Sequence, residues 1–242
     1  TYLMSEQIEI SQGRLRDQLK SKKRENLFIR VLEKLAPNKA WLGYGEEYDG
    51  YKYRFWELLP IIPDNSFIVD LMGTGEFYRD LQRNGRKVSG IALTLADTRG
   101  GNSRKLDRKN HNGYVTGDIL NRKTWKKLQQ QLPDGKADLI VCNPGGGWVS
   151  FPKSPRIFIG FLDRAYRLLN VDGKLITTVP QEFIPQIENL RDKLTDNGVN
   201  VEVKILPTVG WEYSENPSAE LMLQRANNSP ATLSSFCQAP LF

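Results

Sequence analysis

Short apolar runs alternate with amphipathic segments along most of the chain. The runs contain four to seven residues and read as buried β-strands. The seven predicted strands are residues 66–71, 87–93, 113–116, 137–142, 174–179, 200–206 and 219–224. Helical spacing of apolar positions predicts helices at residues 76–84, 122–132, 155–169 and 181–196. Strands that alternate with helices of this length predict an α/β fold, in which helices cover both faces of a mostly parallel sheet.

The end of this pattern departs from the alternation. Only 12 residues without helical periodicity connect the last two predicted strands, which favours an antiparallel pair at one sheet edge. The polar, basic stretch at residues 96–112 is predicted as a loop. The expected fold is therefore a seven-stranded, mostly parallel, doubly wound sheet with an antiparallel last strand.

The chain divides into three predicted parts. Residues 1–64 form an N-terminal extension, with one or two amphipathic helices ending at Ala36-Pro37 and an aromatic, glycine-containing segment at 38–57. That aromatic segment is interpreted either as a lid packed on the core or as a surface on which substrate stacks. Residues 65–225 form the α/β domain, and residues 226–242 a loosely held tail.

The composition argues against several functional classes. The 34 Lys and Arg exceed the 28 Asp and Glu by six, which permits an anionic partner without requiring one. No apolar run approaches the roughly 18 residues of a membrane helix, and no secretory signal is recognisable, so we expect no membrane partner. Two cysteines favour reduced thiols and a cytoplasmic location. A single histidine argues against a metal site or a His-dependent triad.

The most informative motif is a strand that runs into a glycine turn and then a helix. Residues 67–77 read Phe-Ile-Val-Asp-Leu-Met-Gly-Thr-Gly-Glu-Phe. Such a turn lets the backbone approach a nucleotide-like ligand, and an acid at the strand end can bind a ribose hydroxyl or a cation. Tyr78 stands where a dinucleotide-binding turn has its third glycine, and Ala92 where it has its acid. A nicotinamide or ATP enzyme is therefore not favoured.

Two more motifs follow strands of the same predicted sheet. Gly117-Asp118-Ile119 follows the third strand, and Asn143-Pro144-Gly145-Gly146-Gly147-Trp148 follows the fourth. Ligands of open α/β sheets bind outside the carboxyl ends of the strands. We therefore expect one crevice to bring together Asp70, Gly73, Gly75, Asp118 and Asn143.

Over residues 65–225 the chain resembles the class I S-adenosylmethionine-dependent methyltransferases. The resemblance implies S-adenosylmethionine as cofactor, with Asp70, Met72, Gly73 and Gly75 around its methionine part. It places Asp118 and Ile119 at the adenine, and Asn143 beside the reacting methyl. Two departures stand out: the first loop is one residue shorter than Asp-x-Gly-x-Gly-x-Gly, and Ala92 replaces the ribose-binding acid. Thr94 or Asp97 is the candidate substitute.

Asn143-Pro144 resembles the start of the Asn-Pro-Pro-Tyr motif of amino-methyltransferases. In that motif the Asn oxygen and a backbone carbonyl accept the two N–H bonds, and an aromatic ring stacks on the planar substrate. Here glycines replace the second proline and the aromatic residue, and Trp148 follows two places later. The candidate catalytic residues are Asn143, Pro144 and Trp148. Asn143 is either a substrate ligand or the cap of a turn, and Trp148 either stacks on substrate or packs in the core.

Substrate contacts are predicted in two further regions. The loop between the last two strands offers Trp211 and Tyr213, with Glu212 between them. Basic clusters at residues 20–24 and at Arg99, Arg104, Lys105, Arg108 and Lys109 are read either as phosphate contacts or as solvated surface.

The resulting hypothesis is N-methylation of a base in DNA or RNA. One alternative is a methyltransferase for a small molecule or a protein side chain. Another is a degenerate, non-catalytic domain of the same fold that binds RNA or a partner protein, which the shortened loop and Ala92 would suit. Methyl transfer from a sulfonium depends mainly on alignment, so the near absence of histidine is compatible with it.

Overall fold

Seven strands pair into one sheet within the described part of the chain. The computed structural model describes residues 62–142, 152, 154–205, 218–233 and 236. The strands are β1 (Phe67–Leu71), β2 (Ser89–Thr94), β3 (Gly113–Thr116), β4 (Ala137–Cys142), β5 (Leu169–Pro180), β6 (Val199–Ile205) and β7 (Ser218–Arg225). All seven strand predictions are thereby confirmed, with boundaries that differ by up to two residues except at the start of β5.

The strand order across the sheet is β3-β2-β1-β4-β5-β7-β6. Strands β1 to β5 run parallel to one another, whereas β7 is antiparallel to both β5 and β6. The first described strand, β1, therefore lies in the middle of the sheet. β2 and β3 extend the sheet to one edge, and β4 to β7 form the other half. This confirms the predicted mixed sheet and its antiparallel last strand.

Five α-helices cover the sheet within the described residues. They are α1 (Glu76–Arg83), α2 (Gly101–Lys109), α3 (Arg122–Gln129), α4 (Pro155–Arg167) and α5 (Ile184–Asp196). Successive strand residues point to opposite faces. Val69 and Leu71 belong to one buried cluster, together with apolar residues of α3, α4 and α5. Ile68 belongs to a second cluster with Phe77, Tyr78 and Leu81 of α1. The sheet thus has a core on each face.

Helix α2 corrects the prediction of a loop at residues 96–112. Its single apolar side chain, Leu106, supplies no helical periodicity, so the sequence pattern did not reveal it. The helix is anchored by a charged residue instead, because Asp107 is buried and binds Arg79 of α1. A second difference concerns β5, which begins at Leu169 and pairs irregularly with β4 between Leu169 and Lys174, a stretch in which Asp172 takes a left-handed conformation (φ 62°).

The segment after β7, predicted as a loosely held tail, is attached to α4 where it is described. Leu233 is buried, and its N–H donates to the Asp163 carboxylate at 2.6 Å. The Thr232 hydroxyl donates to the same oxygen. Residues 226–233 therefore pack on the domain. The predicted extension at residues 1–64 lies outside the described residues except for residues 62–64.

Two features are absent from the described residues. No helix there combines the length and apolar character that crossing a bilayer requires. No group of three or more His, Cys, Asp or Glu in that part of the chain is arranged to hold a metal ion.

Candidate functional site

The carboxyl ends of four strands meet at one edge of the sheet. Leu71, at the end of β1, is in register with Leu93 of β2 on one side and with Cys142 of β4 on the other. Thr94, the last residue of β2, is in register with Thr116 of β3. The glycine turn after β1 and the Asp118 loop after β3 therefore start at the same edge, as the sequence predicted.

Asp70 shapes the turn that follows β1. Its Oδ2 accepts a hydrogen bond of 2.7 Å from the backbone N–H of Gly75. The side chain is only 3% exposed. Burial raises the pKa of Asp70 to about 7, and the Gly75 hydrogen bond and the charge of Arg79 act in the opposite direction. One oxygen of the candidate ligand-binding acid is thus engaged by the turn itself.

The turn has almost no room for side chains. A Cβ atom at Gly73 would lie 2.1 Å from Asp70 Oδ1. Gly75 has φ 89°, and a Cβ there would lie 2.2 Å from the Tyr78 hydroxyl oxygen. Met72 also takes a left-handed conformation, with φ 61°, and its N–H donates to the Leu93 carbonyl. The shortened loop therefore puts a left-handed residue at Met72, where glycine would be less strained.

The end of β2 offers Thr94 rather than an acid. Ala92 is fully buried in the strand, in register with Asp70. Asp97, the other candidate substitute, is engaged by Arg99, whose Nε and Nη2 donate to its two carboxylate oxygens. Arg104 also contacts Asp97 at 3.2 Å, and these arginines keep the pKa of Asp97 below its ordinary value. Thr94, half-buried at the sheet edge, is the better-placed polar group.

The loop after β3 is held by its own hydrogen bonds. Asp118 is exposed, and its Oδ1 accepts from the N–H of Leu120 at 2.8 Å. The Ile119 carbonyl accepts from Trp125 Nε1 at 2.6 Å. Asn121 caps α3 by accepting from the N–H of Lys123. These contacts present the Asp118 carboxylate to solvent on a fixed loop.

The remaining predicted site residues cannot be placed. Asn143, Pro144, Trp148, Trp211 and Tyr213 lie outside the described residues, as does the basic cluster at residues 20–24. The last described residue before Asn143, Cys142 of β4, is in register with Leu71 at the end of β1. Their roles stay predictions.

Comparison with known proteins gives no match to a protein-family model and none to a curated protein sequence. Solved structures do match. A protein from Listeria monocytogenes described as a class I S-adenosylmethionine-dependent methyltransferase aligns with a TM-score of 0.50 and 14% identity, over 87% of this chain and 76% of that one. A protein from Streptococcus mutans described as a SAM-dependent methyltransferase aligns with a TM-score of 0.50 and 14% identity, over 71% of this chain and 48% of that one.

This chain has the class I methyltransferase fold. An rRNA methylase from Streptococcus thermophilus also matches, with a TM-score of 0.48 and 16% identity over 72% of this chain and 95% of that one.

Arg79 stabilises the methyltransferase fold next to the glycine turn. This residue was missed in the sequence analysis. Its guanidinium is fully buried; Nη1 donates to both oxygens of Asp107, and Nη2 donates to the Thr74 carbonyl and to Glu76 Oε1. Burial alone would lower the pKa of Arg79, but the charges of Glu76 and Asp107 raise it. The sequence signal was the spacing of Glu76 and Arg79 on one helix face. Arg79 therefore ties the glycine turn to α2.

The raised pKa of Asp70 predicts a pH-dependent stability. The folded protein holds this proton up to about pH 7, whereas the ordinary value is 3.8. The stabilising effect of the proton is complete below the lower value and is lost as the pH rises through the higher one. We expect the free energy of unfolding of the native protein, relative to Asp70→Asn, to fall between about pH 4 and pH 7.

Urea denaturation of both proteins across this pH range measures the difference. Other titrating groups are common to the two proteins and cancel. A difference that does not change with pH would contradict the buried, protonated state of Asp70.

Proposed function

We propose that this protein is an S-adenosylmethionine-dependent methyltransferase that acts on a nitrogen atom of a nucleic-acid base. The observation that carries the proposal is that the Asp70–Gly75 turn and the Asp118 loop lie at the same edge of a sheet with methyltransferase topology. The net charge of +6 and the two rows of exposed cations on α2 and α3 favour a nucleic-acid substrate. We place the reaction in the cytoplasm, in line with the cysteine content.

The residues at this edge fit the chemistry of the cofactor. S-adenosylmethionine is a cation with an ammonium group, ribose hydroxyls and an adenine amine, all of which need hydrogen-bond acceptors. Asp118 supplies an exposed carboxylate and Asp70 the carboxyl oxygen that the turn leaves unused, and Gly73 has no side chain that would cover the backbone of the turn. In the proposed assignment, the turn residues bind the methionine part, Thr94 the ribose, and the Asp118 loop the adenine. The cofactor-binding residues are then Asp70, Met72, Gly73, Gly75, Thr94, Asp118, Ile119 and Asn143.

When bound, S-adenosylmethionine supplies a methyl group that is already activated by the sulfonium charge. The chain's own residues then orient the acceptor. The Asn143 side-chain oxygen accepts an N–H of the substrate, so that the nitrogen lone pair points away from this bond and toward the methyl. Pro144 restricts the backbone next to Asn143. Trp148, Trp211 and Tyr213 stack against the base and exclude water. Formation of the nitrogen–carbon bond would break the methyl–sulfur bond, leave a neutral thioether and release one N–H proton to water, so no histidine base is required.

Isothermal calorimetry with S-adenosylmethionine tests the cofactor assignment. We expect saturable binding, and we expect Asp118→Asn to weaken it about tenfold, because one charged hydrogen bond contributes on the order of 1.5 kcal/mol. Asp172→Asn is the matched control, because Asp172 is an exposed residue of β5 that belongs to no part of the proposed site. An absence of binding at millimolar cofactor would overturn the proposal.

Asn143→Ala tests the catalytic assignment. We expect methyl transfer to oligonucleotides to fall by about 10²- to 10³-fold, because a preorganised hydrogen-bonding group at the reacting atom contributes about that much. Cofactor affinity should change little. The measurement is transfer of isotope-labelled methyl to DNA and RNA, with calorimetry on the same variant. Undiminished transfer would show that Asn143 only caps its turn.

A second candidate function is supported by β2. Ala92 is buried where the resemblance implies an acid, and Asp97 is neutralised by two arginines. Both observations favour a domain of this fold that binds a partner without catalysis. The same calorimetry separates the two functions, since only the enzyme needs the cofactor.

A further inference from the structure

Two helices beside β3 carry the same pattern of cationic residues. Residues 104–109 of α2 read Arg-Lys-Leu-Asp-Arg-Lys, and residues 122–127 of α3 read Arg-Lys-Thr-Trp-Lys-Lys. In each helix two adjacent cations are followed, after two other residues, by two more. All eight cations are exposed, whereas Asp107, Thr124 and Trp125 between them are buried. Each helix therefore exposes four cations to solvent and packs against the domain through the residues between them.

The two helices lie on opposite faces of the sheet at the same edge. β3 is the end strand of the sheet order. Tyr114 and Val115 are consecutive residues of β3, so their side chains point to opposite faces. The Arg99 guanidinium lies over the Tyr114 ring and binds Asp107 of α2. Val115 belongs to the buried cluster that contains Trp125 of α3. Cations therefore flank the β3 edge on both sides.

Positive charge is concentrated in this part of the chain. Residues 101–131 contain eight Lys and Arg but only two Asp, a net charge of +6 that equals that of the whole protein. Of the two acids, Asp107 is buried and binds Arg79 and Arg99. The other, Asp118, is at the candidate cofactor site. The outward faces of α2 and α3 are thus strongly positive.

This arrangement is unfavourable for the isolated domain. Cations spaced four residues apart on a helix repel each other, and both helices contain two such pairs, of which the one with Arg104 is partly offset by Asp97. Arg122 and Lys123 also occupy the first turn of α3, which has no acidic residue and where positive charge opposes the helix dipole. A bound polyanion would remove both penalties.

We propose that these eight residues, here called the basic surface, bind the sugar–phosphate backbone of the nucleic acid. The basic surface consists of Arg104, Lys105, Arg108, Lys109, Arg122, Lys123, Lys126 and Lys127. Helices α2 and α3 follow the carboxyl ends of β2 and β3, so a strand bound to them runs past Thr94 and Asp118. The choice of a nucleic acid over other polyanions rests on the proposed function.

Paired alanine variants test the basic surface. Lys105→Ala/Lys109→Ala removes one pair on α2, and Lys123→Ala/Lys127→Ala removes one on α3. The matched control is Arg191→Ala/Lys193→Ala, which makes the same charge change at exposed positions of α5, a helix that packs beside β6. Because repulsion is relieved, both test variants should melt at or above the temperature of the native protein. Melting curves thus confirm that each variant is folded.

Binding is measured by the fluorescence anisotropy of a labelled single-stranded RNA of about 20 nucleotides, between about 50 and 200 mM salt. Each lost phosphate contact should reduce the magnitude of the slope of log K against log salt by about 0.7. Each double variant removes two cations and should therefore reduce it by up to about 1.4. We expect the quadruple variant, which combines the two double variants, to bind at least tenfold more weakly at the lowest salt, and the control to match the native protein.

Several results would overturn the proposal. The proposal fails if the native protein binds neither this RNA nor the corresponding DNA duplex at low salt. It also fails if the quadruple variant binds as tightly as the control. Equal binding of polyglutamate, lost in the same variants, would identify an acidic protein partner instead. Calorimetry with S-adenosylmethionine keeps the two proposals apart. Oligonucleotide binding that the quadruple variant retains rejects only the basic surface. Cofactor binding without any oligonucleotide binding rejects the basic surface and the nucleic-acid substrate but not methyl transfer, whereas oligonucleotide binding without cofactor binding rejects only methyl transfer.

Discussion

Replacement of Arg79 by methionine is expected to lower the free energy of unfolding by about 3–5 kcal/mol. Arg79 is fully buried and has hydrogen bonds to Asp107, Glu76 and the Thr74 carbonyl. Methionine fills much of the same volume but leaves the buried Asp107 carboxylate with one cationic partner fewer. The cost of an incompletely paired buried charge exceeds what the added apolar contacts return.

Urea denaturation measures this effect, and Arg83→Met is the matched control on the same helix. Arg83 pairs with Asp80 and Glu76, but its side chain is 35% exposed, so its removal should cost no more than about 1 kcal/mol. The double variant Arg79→Met/Asp107→Asn should recover part of the loss, because the unpaired charge is then also removed. A loss below about 1 kcal/mol for Arg79→Met would contradict the buried pairing.

The second large effect is expected for Gly73→Ala. The new Cβ would lie 2.1 Å from Asp70 Oδ1 and 2.5 Å from its Cγ, so the buried carboxylate would have to leave its hydrogen bond with Gly75. Overpacking of this kind costs about 1–3 kcal/mol of stability. Because the turn changes shape, we expect at least a tenfold loss of S-adenosylmethionine affinity by calorimetry.

Gly160→Ala is the control for this substitution. Gly160 lies within α4, and a Cβ there meets nothing within 4 Å. Alanine in the middle of a helix should stabilise the protein by about 0.5–1 kcal/mol and leave cofactor affinity unchanged. If Gly73→Ala behaved like this control, the turn would not be packed against Asp70 as described.

Most of the fold was predictable because the signals that define it are local. The apolar runs that form the central strands β1, β2 and β4 are buried on both faces, so the sequence shows them as strands without any knowledge of their neighbours. The connection between β6 and β7 was too short for a crossover helix, so it predicted antiparallel pairing. The candidate site followed from a general property of parallel sheets, because Asp70, Thr94 and Asp118 lie at or just beyond the carboxyl ends of neighbouring strands.

Helix α2 was not predictable in the same way. Its inward-facing residue is Asp107, and an ionised carboxylate is buried at acceptable cost only when groups from other elements, such as a cation, pair with it. Arg79 is that cation, 28 residues earlier in the chain. Likewise, the sequence offered Asp97 as a ligand, but the fold brings Arg99 and Arg104 onto it.

The sequence by itself therefore determined the strands, their mostly parallel direction and the edge of the sheet at which the candidate ligands collect. These features depend on apolar periodicity and connection length, which are properties of short segments. Only the tertiary structure decided which charged groups are neutralised, that Asp70 holds its own turn, and that the cations of α2 and α3 flank one edge. Those outcomes depend on which side chains meet in space, both between distant residues such as Arg79 and Asp107 and within single turns, because the energy of a charge is set by its surroundings.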